Sequence, residues 1–250
     1  MASHHERESG PPPPLPSSLR VLCLHDAGSS ATDLKQQLDK LGQRLYQSHG
    51  IDLIYVNSPL SVESAAENEI TERRVWWEEE SPHNSGEAVQ YRGLDASLLL
   101  ARQVWTSIPI QGVLGFGQGA AIASFLCLLP DIPSPPQFAV FVDGQALLPE
   151  TEPLVDPSFP CLHLVKAADD GASLLTTQFN SGEVLYRSSQ RLGTADWNAI
   201  GKFLVSQKVQ SRALVGLQTA LQFAENEAAN AVARHVAKDP PASLMAIIQP

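Results

Sequence analysis

The chain has 250 residues, 43% of them apolar, which is enough for one packed α/β domain with short extensions. Its formal net charge is −10 and it has no basic stripe, so we predict that it binds no nucleic acid. No apolar run approaches the roughly 18 residues of a membrane span, and the N-terminus lacks the pattern of a signal peptide. We therefore expect a cytoplasmic protein without membrane contact.

The three cysteines, Cys23, Cys127 and Cys161, are odd in number and widely spaced, and two of them lie within apolar strand-like runs. This pattern is typical of buried thiols in a reducing compartment, and not of a disulfide framework or a metal site. We accordingly expect no metal and no cofactor.

The first segment, residues 1–18, is polar and then proline-rich. It has too little apolar surface to offset the entropy of ordering, so it is predicted to be a disordered leader. The four consecutive prolines from Pro11 to Pro14 would also suit the aromatic groove of a partner, and the sequence leaves that alternative open.

Folded structure is predicted to begin at Leu19. The stretch from Leu19 to His25 is almost continuously apolar, as is typical of a strand covered on both faces. After a turn at residues 26–30, with Ser30 or Thr32 as N-cap, the spacing of the leucines predicts an amphipathic helix that buries Leu34, Leu38, Leu41 and Leu45.

Residues 60–90 show no sustained periodicity, which is typical of an irregular lid or binding loop. This stretch contains the adjacent pair Trp76 and Trp77. The two indoles would either line a pocket for an apolar substrate or plug the core from above. With His25, they are our candidate pocket residues.

The remaining pattern alternates strands with helices. Strands are predicted at 51–56, 112–116, 138–142, 161–165 and 183–186, and helices at 93–106, 118–129, 173–179 and 197–205. This alternation predicts an α/β fold with a mostly parallel sheet and helices on both faces. Ligands of such folds bind beyond the carboxyl ends of the strands, which here carry Asp26, Gly117, Asp143 and Asp169.

The C-terminal part, residues 208–250, is predicted to be a helical extension of a domain that spans residues 19–207. Its helix runs from Val209 to Lys238, with a kink at Gly216 as an open alternative, and carries an apolar stripe: Leu214, Leu217, Leu221, Ala224, Ala228 and Val232. An apolar tail, Leu244 to Ile248, follows two prolines. This extension either docks on its own domain or binds a protein partner.

The most informative stretch runs from Gln111 to Ala120, where an apolar strand leads through closely spaced glycines into a helix. This is the context of the nucleophile elbow, Gly-x-Ser-x-Gly, whose sharp turn lifts a serine above the sheet. Here the central position is Gly117, so the turn carries no hydroxyl group.

Five separated stretches, in order, resemble the FSH-type serine hydrolases, small α/β-hydrolase proteins related to esterases and thioesterases. The resemblance spans residues 19–205 and is carried by Leu19–His25, Trp76–Trp77, Tyr91–Leu94, Gly112–Ala120 and Phe159–His163. It implies an α/β-hydrolase-like fold, to which the C-terminal helix is an addition.

The resemblance also implies where a catalytic triad would lie. The nucleophile falls on Gly117, the acid on Asp169 and the histidine on Gln190, so the nucleophile and the histidine are missing. The chain order of these triads needs a histidine after the acid, and only His235, on the extra helix, follows Asp169. We interpret His235 as a solvated side chain.

The oxyanion loop departs from the family pattern as well. Where the family has a loop sequence similar to Leu-His-Gly, this chain has Leu24-His25-Asp26. The oxyanion-like positions are Asp26, Ala27 and Gln118, and a carboxylate there would repel a developing oxyanion. Capping of the following turn is the structural alternative for Asp26.

These departures predict a pseudohydrolase with a ligand-binding or scaffold role, its ligand a small acyl-type molecule. The alternative is an enzyme that acts by non-covalent acid–base chemistry through Asp169, assisted by Asp26 and His25. A third reading assigns the function to the extension at 208–250 and treats the hydrolase-like domain as its carrier.

Overall fold

The computed structural model describes residues 18–62, 73–80, 89–130, 132–147, 154–166, 170–189 and 191–238. The chain divides into two compact units, Met1–Val205 and Ser206–Pro250. Within the part of the chain that the structure describes, no helix is long and apolar enough to cross a membrane.

The described residues of the first unit form ten strands and four helices, and a fifth helix continues into the second unit. In chain order they are β1 (Leu19–Leu24), α1 (Ala31–His49), β2 (Ile51–Val56), β3 (Leu60–Val62), β4 (Arg73–Val75), β5 (Glu78–Glu80), β6 (Gln90–Arg92), α2 (Leu94–Ser107), β7 (Gly112–Phe116), α3 (Gln118–Leu128), β8 (Phe138–Val142), β9 (Cys161–Lys166), α4 (Asp170–Gln178), β10 (Glu183–Arg187) and α5 (Thr194–Lys238).

Six strands form one parallel sheet in the order β10-β9-β8-β7-β1-β2. Apolar residues on its two faces belong to two separate core clusters, so that alternate residues of β1, such as Leu22 and Cys23, pack on opposite sides. This explains why β1, β7 and β8 read as continuous apolar runs. The predicted α/β fold with a mostly parallel sheet is confirmed.

Helix α1 begins where its sequence predicts. Ser30, one of the two predicted caps, accepts a hydrogen bond from the Asp33 N–H through its side chain. At the other end Gly50 has a φ of 62°, the left-handed conformation that glycine adopts without strain, and caps the last turn. The four predicted leucines are buried.

Two predictions about secondary structure need correction. The described part of residues 60–90 is not irregular: it contains two antiparallel pairs, β3 with β4 and β5 with β6. Strands of three residues are too short to show a period in the sequence. The two helices predicted at 197–205 and 209–238 are a single helix, α5, because residues 206–208 contain no glycine or proline to end it.

The second unit presents apolar side chains along α5. Leu214, Leu217 and Leu221 of the predicted stripe are 57–61% exposed. The tail at 244–248 lies outside the described residues, and a protein partner for the extension stays a prediction.

Candidate functional site

The turn between β7 and α3 is built around Gly117. This residue has a φ of 50° and a ψ of −116°, a conformation open to glycine and strained for other residues. Its N–H donates to the Val142 carbonyl oxygen at 2.9 Å, which fixes the turn against the end of β8. The turn therefore has the strand–turn–helix form of a nucleophile elbow, at the carboxyl edge of the sheet.

The glycines on either side of the turn are required by close backbone packing. A Cβ atom at Gly115 would lie 2.6 Å from the Ala120 nitrogen. A Cβ atom at Gly119 would lie 2.5 Å from the His25 carbonyl oxygen. Both contacts are with backbone atoms, which cannot move aside as a side chain can.

The Asp26 side chain occupies the space in front of Gly117. Its Oδ1 atom accepts hydrogen bonds from the backbone N–H of Ala27, at 2.7 Å, and from that of Gln118, at 3.1 Å. A Cβ atom at position 117 would overlap this same oxygen. The three residues predicted as oxyanion-like are thus brought together, with the carboxylate of one held by the backbone of the other two.

His25 lies in the core beneath this carboxylate and is fully buried. Its Nε2 atom accepts from the Ser58 N–H at 3.0 Å, so Nδ1 carries the proton and donates to the Asp26 carbonyl oxygen at 2.7 Å. Burial lowers the pKa of His25 below its ordinary value of 6.5, although its bond to Asp26 acts in the opposite direction. The imidazole is therefore neutral, and both of its nitrogens are engaged.

The tryptophan pair lies in the core too. Trp76 is fully buried and Trp77 almost so, and the side chain of Gln118 joins them: it accepts from the Trp76 N–H at 2.8 Å and donates to the Trp77 carbonyl oxygen at 3.0 Å. These two bonds tie the Trp76–Trp77 segment to the first residue of α3. Of the two alternatives for the pair, burial favours the plug.

A cavity of about 480 Å³ opens in front of Gly117 and Asp26. Its polar wall is formed by Asp26, Ser29, Gln37, Asp143, Arg187 and Arg191. Its apolar wall is formed by Leu34, Phe116, Val142, Leu192 and Trp197. The predicted pocket residues His25, Trp76 and Trp77 do not line this cavity, because their rings pack into the core behind it.

The cavity wall also carries an ion-pair cluster around Asp143. The Asp143 carboxylate contacts the guanidinium of Arg187, and Lys166 Nζ lies 3.8 Å from the same oxygen. Arg187 also donates to the Ser189 carbonyl oxygen at 2.9 Å. Sequence reasoning placed Asp143 at a strand end but missed Arg187, whose only signal is its position at the end of β10.

Two predicted triad positions, Asp169 and Gln190, lie outside the described residues. Their assignment as acid and histidine positions remains a prediction. His235 lies on α5, in the second unit.

Comparison with known proteins agrees with this architecture. The family model described as serine hydrolase (FSH1) matches residues 15–177. An esterase of Drosophila pseudoobscura pseudoobscura, GA18864, is 30% identical over 192 residues, which cover 68% of this chain and 64% of the relative. The mouse esterase OVCA2 is 31% identical over 174 residues, which cover 61% of this chain and 76% of the relative.

Among solved structures, the maize acyl-protein thioesterase 2 aligns with a TM-score of 0.53 and 19% identity. The alignment covers 81% of this chain and 97% of that enzyme, and at this identity it supports the fold alone. The sequence matches and the sheet topology lead to one conclusion: this chain belongs to the FSH1 serine hydrolase family.

Proposed function

We propose that this protein is a pseudohydrolase: an α/β-hydrolase framework that binds a small ligand and does not transfer acyl groups. The observation that carries the proposal is the position of Asp26. Its Oδ1 atom takes the two backbone donors, from Ala27 and Gln118, that an acyl-transfer site needs for its oxyanion.

The electrostatics of this arrangement oppose ester hydrolysis. In acyl transfer, preorganised N–H groups stabilise the negative charge that develops on the carbonyl oxygen, and losing one donor costs about 10²- to 10³-fold in kcat. Here both donors face a fixed carboxylate. A second negative charge at that point would be repelled, so the site disfavours the transition state that its relatives would stabilise.

The missing side chain at Gly117 supports the same proposal. Nucleophile and base act as a unit, and loss of either costs about 10⁶-fold in a well-studied protease. Neighbouring hydroxyl groups are weak substitutes: Ser30 is committed to Asp33 in the cap of α1. Ser29 lines the cavity, but no histidine does so among the described residues.

The alternative of acid–base chemistry through Asp169, Asp26 and His25 has less support. His25 is fully buried, and both of its ring nitrogens are bonded to protein atoms. A general base must reach the proton that it removes, within hydrogen-bond distance or through one water molecule. His25 therefore plays a structural role in our proposal.

A fluorophosphonate probe tests the proposal, because it labels an activated serine by losing fluoride. We expect no labelling of the unaltered full chain. We also expect none of Gly117→Ser, because the new side chain would collide with Asp26 and no histidine among the described residues lines the cavity to activate it. In Asp26→Gly/Gly117→Ser the two donors are free, so we expect slow labelling at residue 117, located by peptide mass spectrometry. Rapid labelling of the unaltered chain at a cavity residue would refute the proposal.

A further inference from the structure

We infer that the cavity in front of Gly117 binds a protonated amine, whose ammonium group lies against the Asp26 carboxylate. This inference rests on the proposed function, because it assigns a ligand class to a site without acyl-transfer chemistry. The ligand group next to Asp26 would then carry the opposite charge to the one expected for an acyl-type ligand. The ligand group at this point would be a cation and not an acyl oxygen.

Asp26 is an exposed, negatively charged residue on the wall of the cavity. Asp26 Oδ1 accepts two backbone hydrogen bonds, which hold the carboxylate in place. Within the described ranges, no lysine or arginine lies at ion-pair distance from Asp26. The carboxylate therefore has a fixed position on the cavity wall, and among the described residues its charge is balanced only by backbone dipoles. An ammonium group could donate a charge-assisted hydrogen bond to the Asp26 carboxylate and neutralise its charge.

The positive groups near the cavity would favour an anion if they were available. The guanidinium of Arg187 is already engaged with Asp143 and with the Ser189 carbonyl oxygen. Lys166 is directed to Asp143 as well. Asp26 and Arg191 are both exposed, so solvent screens both charges, but within the described residues no hydrogen bond or ion pair holds the Arg191 side chain in place. Among the described residues, the charge that is held in place and has no counter-ion is thus the negative charge of Asp26.

The apolar wall of the cavity suits the uncharged part of such a ligand. Phe116 and Trp197 lie side by side on the apolar wall, with ring centroids 6.4 Å apart. Aromatic faces attract organic cations as well as apolar groups. A volume of about 480 Å³ accommodates a small molecule with one ring and a short chain. An arylalkylammonium ion therefore suits both the apolar wall and the Asp26 carboxylate.

The test compares three probes of one shape by titration calorimetry on the full chain at neutral pH and low salt. They are 2-phenylethylammonium, the neutral 2-phenylethanol and the anionic 3-phenylpropanoate. We expect the ammonium ion to bind at least about ten-fold more tightly than the alcohol, and the carboxylate to bind most weakly.

Two variants assign the effect to Asp26. Asp26→Asn keeps an oxygen for the Ala27 and Gln118 donors and removes the charge, so it should weaken ammonium binding about ten-fold or more and leave the alcohol unchanged. Asp39→Asn removes the same charge from an exposed site on α1 and should change nothing.

Three results would overturn the inference: no ammonium binding at millimolar concentration, tighter binding of the carboxylate, or unchanged ammonium affinity in Asp26→Asn. None of these three results would be evidence for acyl transfer. Labelling by the fluorophosphonate probe, in contrast, would refute the proposed function whichever probe binds.

Discussion

Replacing Gly119 by alanine should lower the free energy of unfolding by about 3 kcal/mol, the upper part of the usual range for overpacking. Gly119 lies in the first turn of α3, where helix propensity alone would favour alanine. The added Cβ atom, however, would meet the carbonyl oxygens of Leu24 and His25 at the end of β1. Urea denaturation of the full chain, followed by tryptophan fluorescence, measures the change.

The matched control is Gly42→Ala, in the middle of α1. Here the added Cβ atom would lie 3.5 Å from a Leu53 methyl carbon, an ordinary van der Waals distance. Helix propensity then dominates, and we expect a gain of about 0.5–1 kcal/mol. The same substitution should thus have opposite effects at two helical glycines. Equal effects at both positions would contradict the packing that we describe around the elbow.

Acid should destabilise the fold through His163, a buried residue of β9. Burial lowers the pKa of His163 from its ordinary 6.5 to about 4, although its bond to the Phe179 carbonyl oxygen, at 3.1 Å, acts in the opposite direction. Between pH 6.5 and pH 4 the unfolded chain therefore binds a proton that the folded chain excludes. Stability is fully present above pH 6.5 and falls by about 3 kcal/mol as the pH drops to 4.

The variant His163→Gln isolates this contribution. Glutamine retains an N–H donor for the Phe179 carbonyl oxygen but does not titrate, so its unfolding free energy should fall less between pH 7 and pH 4. His49→Gln, which removes an exposed histidine at the end of α1, should keep the acid loss of the unaltered chain. Urea denaturation at several pH values measures all three proteins. Parallel pH profiles for His163→Gln and the unaltered chain would rule out this origin.

Local sequence signals were sufficient for the framework. The leucines of α1 and the apolar runs of β1, β7 and β8 are visible as local patterns of apolar residues in the sequence. The elbow was recognisable because closely spaced glycines stand between an apolar strand and a helix, a pattern contained in one short stretch of the chain. These features need no knowledge of distant residues.

The details of the site depend on residues far apart in the sequence and were less accessible. Asp26 occupies the donor pair only because Gly117, 91 positions later, has no Cβ atom to exclude it. The tryptophan pair is tied to the fold by Gln118, so its burial has no local signature. The contact of Arg187 with Asp143 requires the register of strands β8, β9 and β10.

The central claim is tested most directly by following, at about 400 nm, the hydrolysis of p-nitrophenyl butyrate by the full chain, because free donors and a nucleophile would both accelerate it by several orders of magnitude. The product has its absorbance maximum near this wavelength. We predict a rate equal to that of buffer, unchanged in Trp197→Ala, which alters the cavity wall. Saturable turnover by the unaltered chain that is lost in Trp197→Ala would contradict the account, because it would place working acyl-transfer chemistry beside Asp26.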